Sequence, residues 1–291
     1  MSRKPSTLMQ ILQYIFLALM TLFALYPIWF VILASGRAGG RLFTLNLLGM
    51  FVPLEFTFEN YQIMLGGDPH PFLTWMRNSF FAAGFTTIAC MAIATSAAFA
   101  FSRFRFYGRE FSLILLLAIQ AFPGVLSLVP VAQLLTALGL YANIWGLILA
   151  YVVGNLVFTT WLLKGYFDTI PIEIEEAAMI DGCGPIQSFL LIGLPMAKPA
   201  LAVTGLLAFM GGWGEFVFAS VLIPAPNVKR TLMVGMYSIA NDMSIPWGLF
   251  AAGAVMTIVP VILVYTYFQK YLVGDLTLGI IEGQMNDYIF G

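Results

Sequence analysis

Charge is scarce in this sequence. Only 9% of its 291 residues are Asp, Glu, Lys or Arg, against 60% hydrophobic, too little to cover the surface of a soluble domain of that length. The 13 basic and 14 acidic residues almost cancel, to a net −1, and no polybasic run stands out, so nothing suits a nucleic-acid partner. Histidine occurs once, as His70 in "GGDPHPF", where glycine and proline mark a solvated turn. A solitary imidazole removes multi-His metal sites and most nucleophile–His mechanisms. Of the two cysteines, Cys90 lies in an apolar run and Cys183 in a polar one, which argues against a disulfide or a cysteine-based zinc site. No G-x-x-x-x-G-K-[ST], G-x-S-x-G or H-E-x-x-H is present, so the chain has no P-loop of its own and none of those hydrolytic motifs.

What the sequence has in quantity is long apolar runs. Its mean hydropathy is +0.92, and aromatic residues make up 15%, a composition suited to a bilayer. A membrane helix needs about 20 mostly apolar residues. Six stretches qualify: Leu8–Ala34, Ser79–Phe101, Phe111–Leu135, Asn143–Leu163, Pro199–Ile223 and Leu249–Leu272. The first follows Arg3 and Lys4 but exceeds the 7–15 residues of a signal-peptide core. The reading is an all-α polytopic membrane protein with about six transmembrane helices, a single domain over residues 1–291.

Orientation follows from Lys and Arg. With the N-terminus inside, the cytoplasmic side holds Arg3, Lys4, Arg103, Arg105, Arg109, Lys164, Lys198 and Lys270, and the outer side Arg37, Arg41, Arg77, Lys229 and Arg230. "SRFRFYGRE" alone packs three arginines into one short loop. Both termini are then cytoplasmic, as is the loop 164–198. The outer connection from Arg37 to Arg77 is long enough for short helices, and "RTLMVGMYSIAND" is apolar but too short to span.

The loop 164–198 gathers five of the 14 acids, Asp168, Glu173, Glu175, Glu176 and Asp181. It reads as a helix–turn–helix. Pro171 suits a first helical turn, and the glutamates suit its positive end. Ala177 and Ala178 favour helix and allow close approach by another body. Gly182 suits a left-handed cap, and Gly184 with Pro185 breaks and restarts the helix. A helix lying on anionic lipid carries Lys or Arg on its polar face; this acidic one fits a basic protein partner better.

"EEAAMIDGCGPIQSFLLIGLP" resembles the EAA loop of ABC importer permeases. Glu176, Ala177 and Ala178 match its E-A-A, Asp181 and Gly182 its D-G, and Ile192, Leu194 and Pro195 its closing I-x-L-P. Cys183 stands where that family usually has Ala. "ENYQIML", "WMRNSFFAAG", "AFAFSRFRFYGR", "FPGVLSLVP", "KGYFDTIP", "WGEF" and "WGLFAAGAVMTIVP" are similar to the smaller permease subunit of maltose-type carbohydrate importers, over most of Glu59–Leu272. The tail "GDLTLGIIEGQMNDYIFG" departs, being longer and more acidic. The resemblance implies the type I importer permease fold in a bacterial or archaeal plasma membrane. It also implies a second related permease, two cytoplasmic ATPase subunits that bind ATP and magnesium, an external solute-binding protein and a carbohydrate cargo such as maltose, maltodextrin, trehalose or a similar oligosaccharide. The chain itself holds no cofactor in this family and does no bond chemistry. Its eight EAA-loop residues named above would dock on the ATPase.

Polar residues within the spans are the pathway or gate candidates. Glu215, in "GGWGEFVF", is the one acid inside a span and must be paired, protonated or water-facing; a hydrogen bond to a neighbouring helix or permease serves as well as a gate. Gln120, Pro123, Gly124 and Pro130 mark a broken third span, which faces protein or a water-filled cavity. Asn155 and Trp213 suit hydroxylated ligands but also ordinary packing. The rival readings are a permease for glycerol-3-phosphate or an amino acid, a proton-coupled transporter using Glu215, and an intramembrane enzyme. The last lacks a second intramembrane acid or a His to make an acid/base pair.

Overall fold

A computed structural model describes residues 7–37, 47–53, 56–224, 229–241 and 245–290, the stretch 272–290 as backbone only. Arg3, Lys4 and Arg41, which bear on the expected orientation, lie outside the described residues, as do the side chains of the C-terminal tail. Among the described residues every regular element is a helix. The helices are α1 Thr7–Ser35, α2 Glu59–Gly66, α3 Phe72–Arg103, α4 Arg109–Ala121, α5 Leu128–Ala137, α6 Ile144–Phe167, α7 Ile172–Ile180, α8 Pro185–Ser188, α9 Leu194–Met196, α10 Lys198–Trp213, α11 Val217–Leu222, α12 Leu232–Ala240 and α13 Trp247–Phe290.

Four of these are long and apolar enough to cross a membrane singly: α1, α3, α6 and α13 over Trp247–Tyr271. Two bent pairs bring the number up to six where each crosses as one span. One is Arg109–Ala121 with Gly124–Ala137, bent by 92°, and the other Pro185–Met196 with Lys198–Trp213, bent by 76°. The break in the third span falls where Pro123 and Gly124 predict it. Phe122 is extended (ψ 129), the conformation a following proline imposes. Pro130 lies inside α5 instead, in its first turn, where a proline's missing N–H costs no helical bond. The fifth predicted span, Pro199–Ile223, is not continuous. α10 stops at Trp213 and α11 restarts at Val217, because Gly214 ends one helix and Glu215 caps the next. "RTLMVGMYSIAND" contains the short helix α12, and the first outer connection contains α2.

The chain divides into two compact units, Met1–Leu73 with Gly235–Val259, and Thr74–Val234 with Pro260–Gly291. In the first, a polar knot fixes the end of α1. Buried Asn60 donates its amide to the carbonyls of Ser35 (2.9 Å) and Arg37 (3.0 Å). Ser35 Oγ pairs with Tyr61 Oη at 2.6 Å, and Arg37 Nη2 donates to the Gly49 carbonyl at 2.6 Å. The α1 surface itself is exposed and apolar over most of its length.

The second unit packs α3, α6, α10 and α11 around two apolar clusters. One joins Ala82, Leu147, Tyr151, Leu222 and Ile223; the other joins Ala98, Phe99, Leu163, Phe167 and Ala197. Helix α10 crosses α3 at Gly212, where an added Cβ would lie 3.0 Å from Ala83 Cα. Small residues at such crossings let backbones approach where lipid offers no hydrophobic drive. Asn143 caps α6 by accepting from Trp145 N at 3.0 Å.

Candidate functional site

The segment after α6 begins with a carboxylate held in place. Asp168 accepts from Ser102 Oγ and from Lys164 Nζ, both at 2.6 Å. Partial burial pushes its carboxyl up, but the Lys164 and Ser102 bonds outweigh that and set it below the ordinary Asp value. Pro171 then launches α7, with Glu173 and Glu175 in its first turn. Gly182 takes φ 96°, the left-handed region that glycine enters without a Cβ penalty. Gln187 reaches back to the Gly184 N–H at 2.9 Å and starts α8. A single π-type turn at Phe189–Gly193 and α9 lead on to α10.

This turn displays apolar side chains beside acids. Ile180 is 87% exposed and Ile186 74%. Glu173, Glu176, Ala177, Asp181 and Pro195 are also exposed, whereas Ala178 is buried and Ile192 and Leu194 are half-buried. The two alanines therefore do not share one outward face. Nor do the acids share one role. Glu175 is 2% exposed and pairs with Arg103 Nε at 2.8 Å. Along the sequence Arg103 marks only orientation, and nothing there points to this pairing.

Glu215, expected inside the fifth span, lies in the break between α10 and α11, just past the apolar pair that ends at Trp213, and is satisfied by its own chain. Oε2 accepts from Tyr151 Oη at 2.7 Å and from Ala219 N at 3.0 Å, and Oε1 accepts from Phe218 N at 2.8 Å. The carboxylate thus occupies the free N–H groups at the start of α11 and anchors them to α6. Asn155 lies one turn along from Tyr151 and donates to the Tyr151 carbonyl at 2.8 Å.

A cavity of about 510 Å³ brings Glu215, Asn155 and Tyr151 together with Gly124 and Ser127 from the broken third span. Its remaining walls are mostly Val and Leu. Gln120 is exposed on α4 and is not among the lining residues. Trp213 is buried, stacked on Phe209 (centroids 5.8 Å) and edge-on to Phe80 (6.5 Å). Two of the four pathway candidates thus meet in one cavity and two lie elsewhere. Tyr151 is absent from the sequence-derived candidates because a tyrosine in an apolar run carries no signal of its partner. Among the described residues no group of three or more His, Cys, Asp or Glu could hold a metal ion.

Residues 90–277 match the family described as binding-protein-dependent transport system inner membrane component. The galactooligosaccharides transport system permease protein GanQ of Bacillus subtilis is 35% identical over 273 residues, 93% of this chain and 95% of that one. The maltose/maltodextrin transport system permease protein MalG of Vibrio vulnificus is 37% identical over 276 residues, covering 89% and 91%. A solved bacterial ABC transporter involved in the import of the acidic polysaccharide alginate superposes with a TM-score of 0.80 at 26% identity, over 93% of this chain and 99% of that one.

Proposed function

This chain belongs to the family of binding-protein-dependent transport system inner membrane components, and on that premise we propose that it moves an oligosaccharide of the maltodextrin or galactooligosaccharide type. It is a transport subunit of a carbohydrate importer, not an enzyme. The observation that carries the reading is an exposed helix–turn–helix, apolar at Ile180 and Ile186 and acidic at Glu176 and Asp181, in a chain similar to sugar permeases over about nine tenths of its length.

In this reading residues 1–291 act as one permease domain with both termini in the cytoplasm. A second related permease completes the pathway, an external binding protein delivers the sugar, and two ATPase subunits bind ATP and magnesium. Glu176, Ala177, Asp181 and Gly182 face the ATPase, while Ala178, Ile192, Leu194 and Pro195 fix the angle at which that face is held. ATP-driven closure of the ATPase pair moves this segment and opens the spans outward; hydrolysis resets them. The cavity at Asn155 and Glu215 is the part of the pathway this chain contributes, with Glu215 shaping the wall through Tyr151 and α11. Gln120 and Trp213 contribute by packing, against the partner permease and within the chain.

The acidic cargo of the alginate importer favours a second reading. Arg77 and Lys229 line a cleft of about 540 Å³ with Asn78 and Asn143, at the end assigned to the outside, and two cations in one cleft suit an anionic saccharide. Uptake by the complete complex in proteoliposomes decides between them. Competition by neutral maltooligosaccharides, with none by uronate oligomers, is the expected result; the reverse selects the acidic cargo. ATP-independent uptake would sink both.

A further inference from the structure

Docking on an ATPase needs an exposed face, but the most buried acid of the coupling segment points the other way. Glu175 is 2% exposed, and its carboxylate meets Arg103, the last residue of α3, 72 positions earlier in sequence. The same guanidinium donates from Nη2 to the Ile170 carbonyl at 2.9 Å and from Nη1 to Ser102 Oγ at 3.1 Å. Ser102 in turn donates to Asp168 at 2.6 Å. One turn back along α3, Phe99 packs against Phe189 (centroids 4.7 Å) and Phe167 (5.5 Å). A Cβ at Gly193 would come within 3.1 Å of the Phe99 ring. Both halves of the helix–turn–helix, α7 and the π-type turn, therefore bear on the last turns of the same helix.

We propose that the end of α3, from Phe99 to Arg103, receives the coupling stroke, with Arg103 and Glu175 as the positioning residues that carry displacement of α7 into that span. The inference rests on the reading of this segment as the element that docks the ATPase. Its covalent link to α6 is the short turn Asp168–Pro171, which backbone bonds from Thr169 N and Ile170 N tie to the end of α6 and which needs a further tie to bear on α3. A planar guanidinium fork supplies the brace, because one rigid group holds a carboxylate on α7 and a carbonyl in the turn at once. The pair stays closed during movement because separating it would leave a charge buried and uncompensated. The aromatic contact at Phe99 gives the second bearing point, so α7 and α3 shift as one body.

The test uses the complete complex in proteoliposomes, with sugar uptake and ATP hydrolysis measured separately and ATPase stoichiometry measured on the purified assembly. Glu175→Gln and Arg103→Ala are expected to retain both ATPase subunits and to hydrolyse ATP, while sugar moved per ATP falls by roughly tenfold, within the usual range for coupling between distant sites. Arg103→Lys keeps the charge without the fork and falls between these and wild type. The double exchange Arg103→Glu with Glu175→Arg restores the ion pair but not the bond to the Ile170 carbonyl, and recovers the ratio only in part. An unchanged ratio in both single variants removes α3 from the stroke. Loss of the ATPase subunits from either also overturns the proposal, since the pair would then only shape the docking face. Glu176→Lys separates the two ideas: normal docking and coupling there, beside uncoupled Arg103 and Glu175 variants, rejects the exposed face and leaves the brace standing.

Discussion

Glu215 illustrates how an acid is accommodated in the break between two apolar helices. Three donors converge on its carboxylate, two of them backbone N–H groups at the start of α11, so the charge meets the positive end of a helix rather than lipid. Gln at this position keeps one acceptor oxygen and turns an NH₂ toward a former donor, at a cost of about 1–3 kcal/mol for the unsatisfied group. Lys offers no acceptor and sets its charge against the helix dipole. Glu215→Gln should therefore assemble with a lowered melting temperature and reduced uptake, and Glu215→Lys should fail in both assays. Wild-type uptake by Glu215→Lys would mean that the group faces bulk water.

Asp168 makes a prediction about pH. Its folded-state carboxyl is set below the ordinary Asp value, against the effect of burial, by Lys164 and Ser102. The stability it contributes is present above the unfolded value of about 3.9 and is lost as pH falls through the lower folded value. The difference in melting temperature between wild type and Asp168→Asn should be constant from neutral pH down to about 5, and narrow only at stronger acidity. A difference that already closes between pH 7 and 6 would contradict the Lys164 and Ser102 contacts.

At the scale of elements, the turn between α7 and α8 contains two glycines and depends on one of them. Gly182 has φ 96° with nothing within 4 Å of an added Cβ, so a side chain there meets strain and no clash. Gly184 lies at φ −73° and its Cβ would meet only Gln187 Oε1, at 3.9 Å. Gly182→Leu should cost about 1–2 kcal/mol in backbone strain and misaim the exposed face, lowering uptake while all spans insert. Gly184→Ala should transport as wild type. Equal activity of the two variants, measured as uptake per assembled complex, would show that the turn's angle does not matter. The break between α4 and α5 has a comparable origin: proline extends Phe122, and the following helix restarts at 92°.

For the whole molecule, the orientation from Lys and Arg yields the clearest test. Tyr107, fully exposed between α3 and α4, and Leu138, exposed between α5 and α6, fall on opposite sides of the membrane in a six-span arrangement. With Cys90 and Cys183 replaced, Tyr107→Cys should react with an impermeant thiol reagent only from the cytoplasmic side and Leu138→Cys only from outside. The opposite pattern inverts the topology, and labelling of both from one side removes the bent third span as a crossing. The exposed apolar surface of α1 must meet lipid or another protein, which puts part of the chain's cover outside the chain itself.

Much of this protein was legible along the chain because the bilayer imposes a one-dimensional rule. Every backbone group at apolar depth must be satisfied within its own helix, so run length and Lys/Arg placement give an expected number of spans and an expected direction. The helix–turn–helix was legible for a similar reason, since Pro171, Gly182 and Pro185 act through their own backbone angles. Partnerships between distant side chains were not legible. Nothing in the spelling of Glu175 distinguishes it from Glu176, yet one is locked to Arg103 and the other is exposed. Tyr151 and Glu215 are likewise 64 positions apart. Which acid turns inward depends on how α7 packs beneath α3, and which span residue meets the carboxylate depends on how α10 and α11 lie against α6. Those choices are made by packing in three dimensions, where one turn of helix decides between a buried ion pair and an open surface.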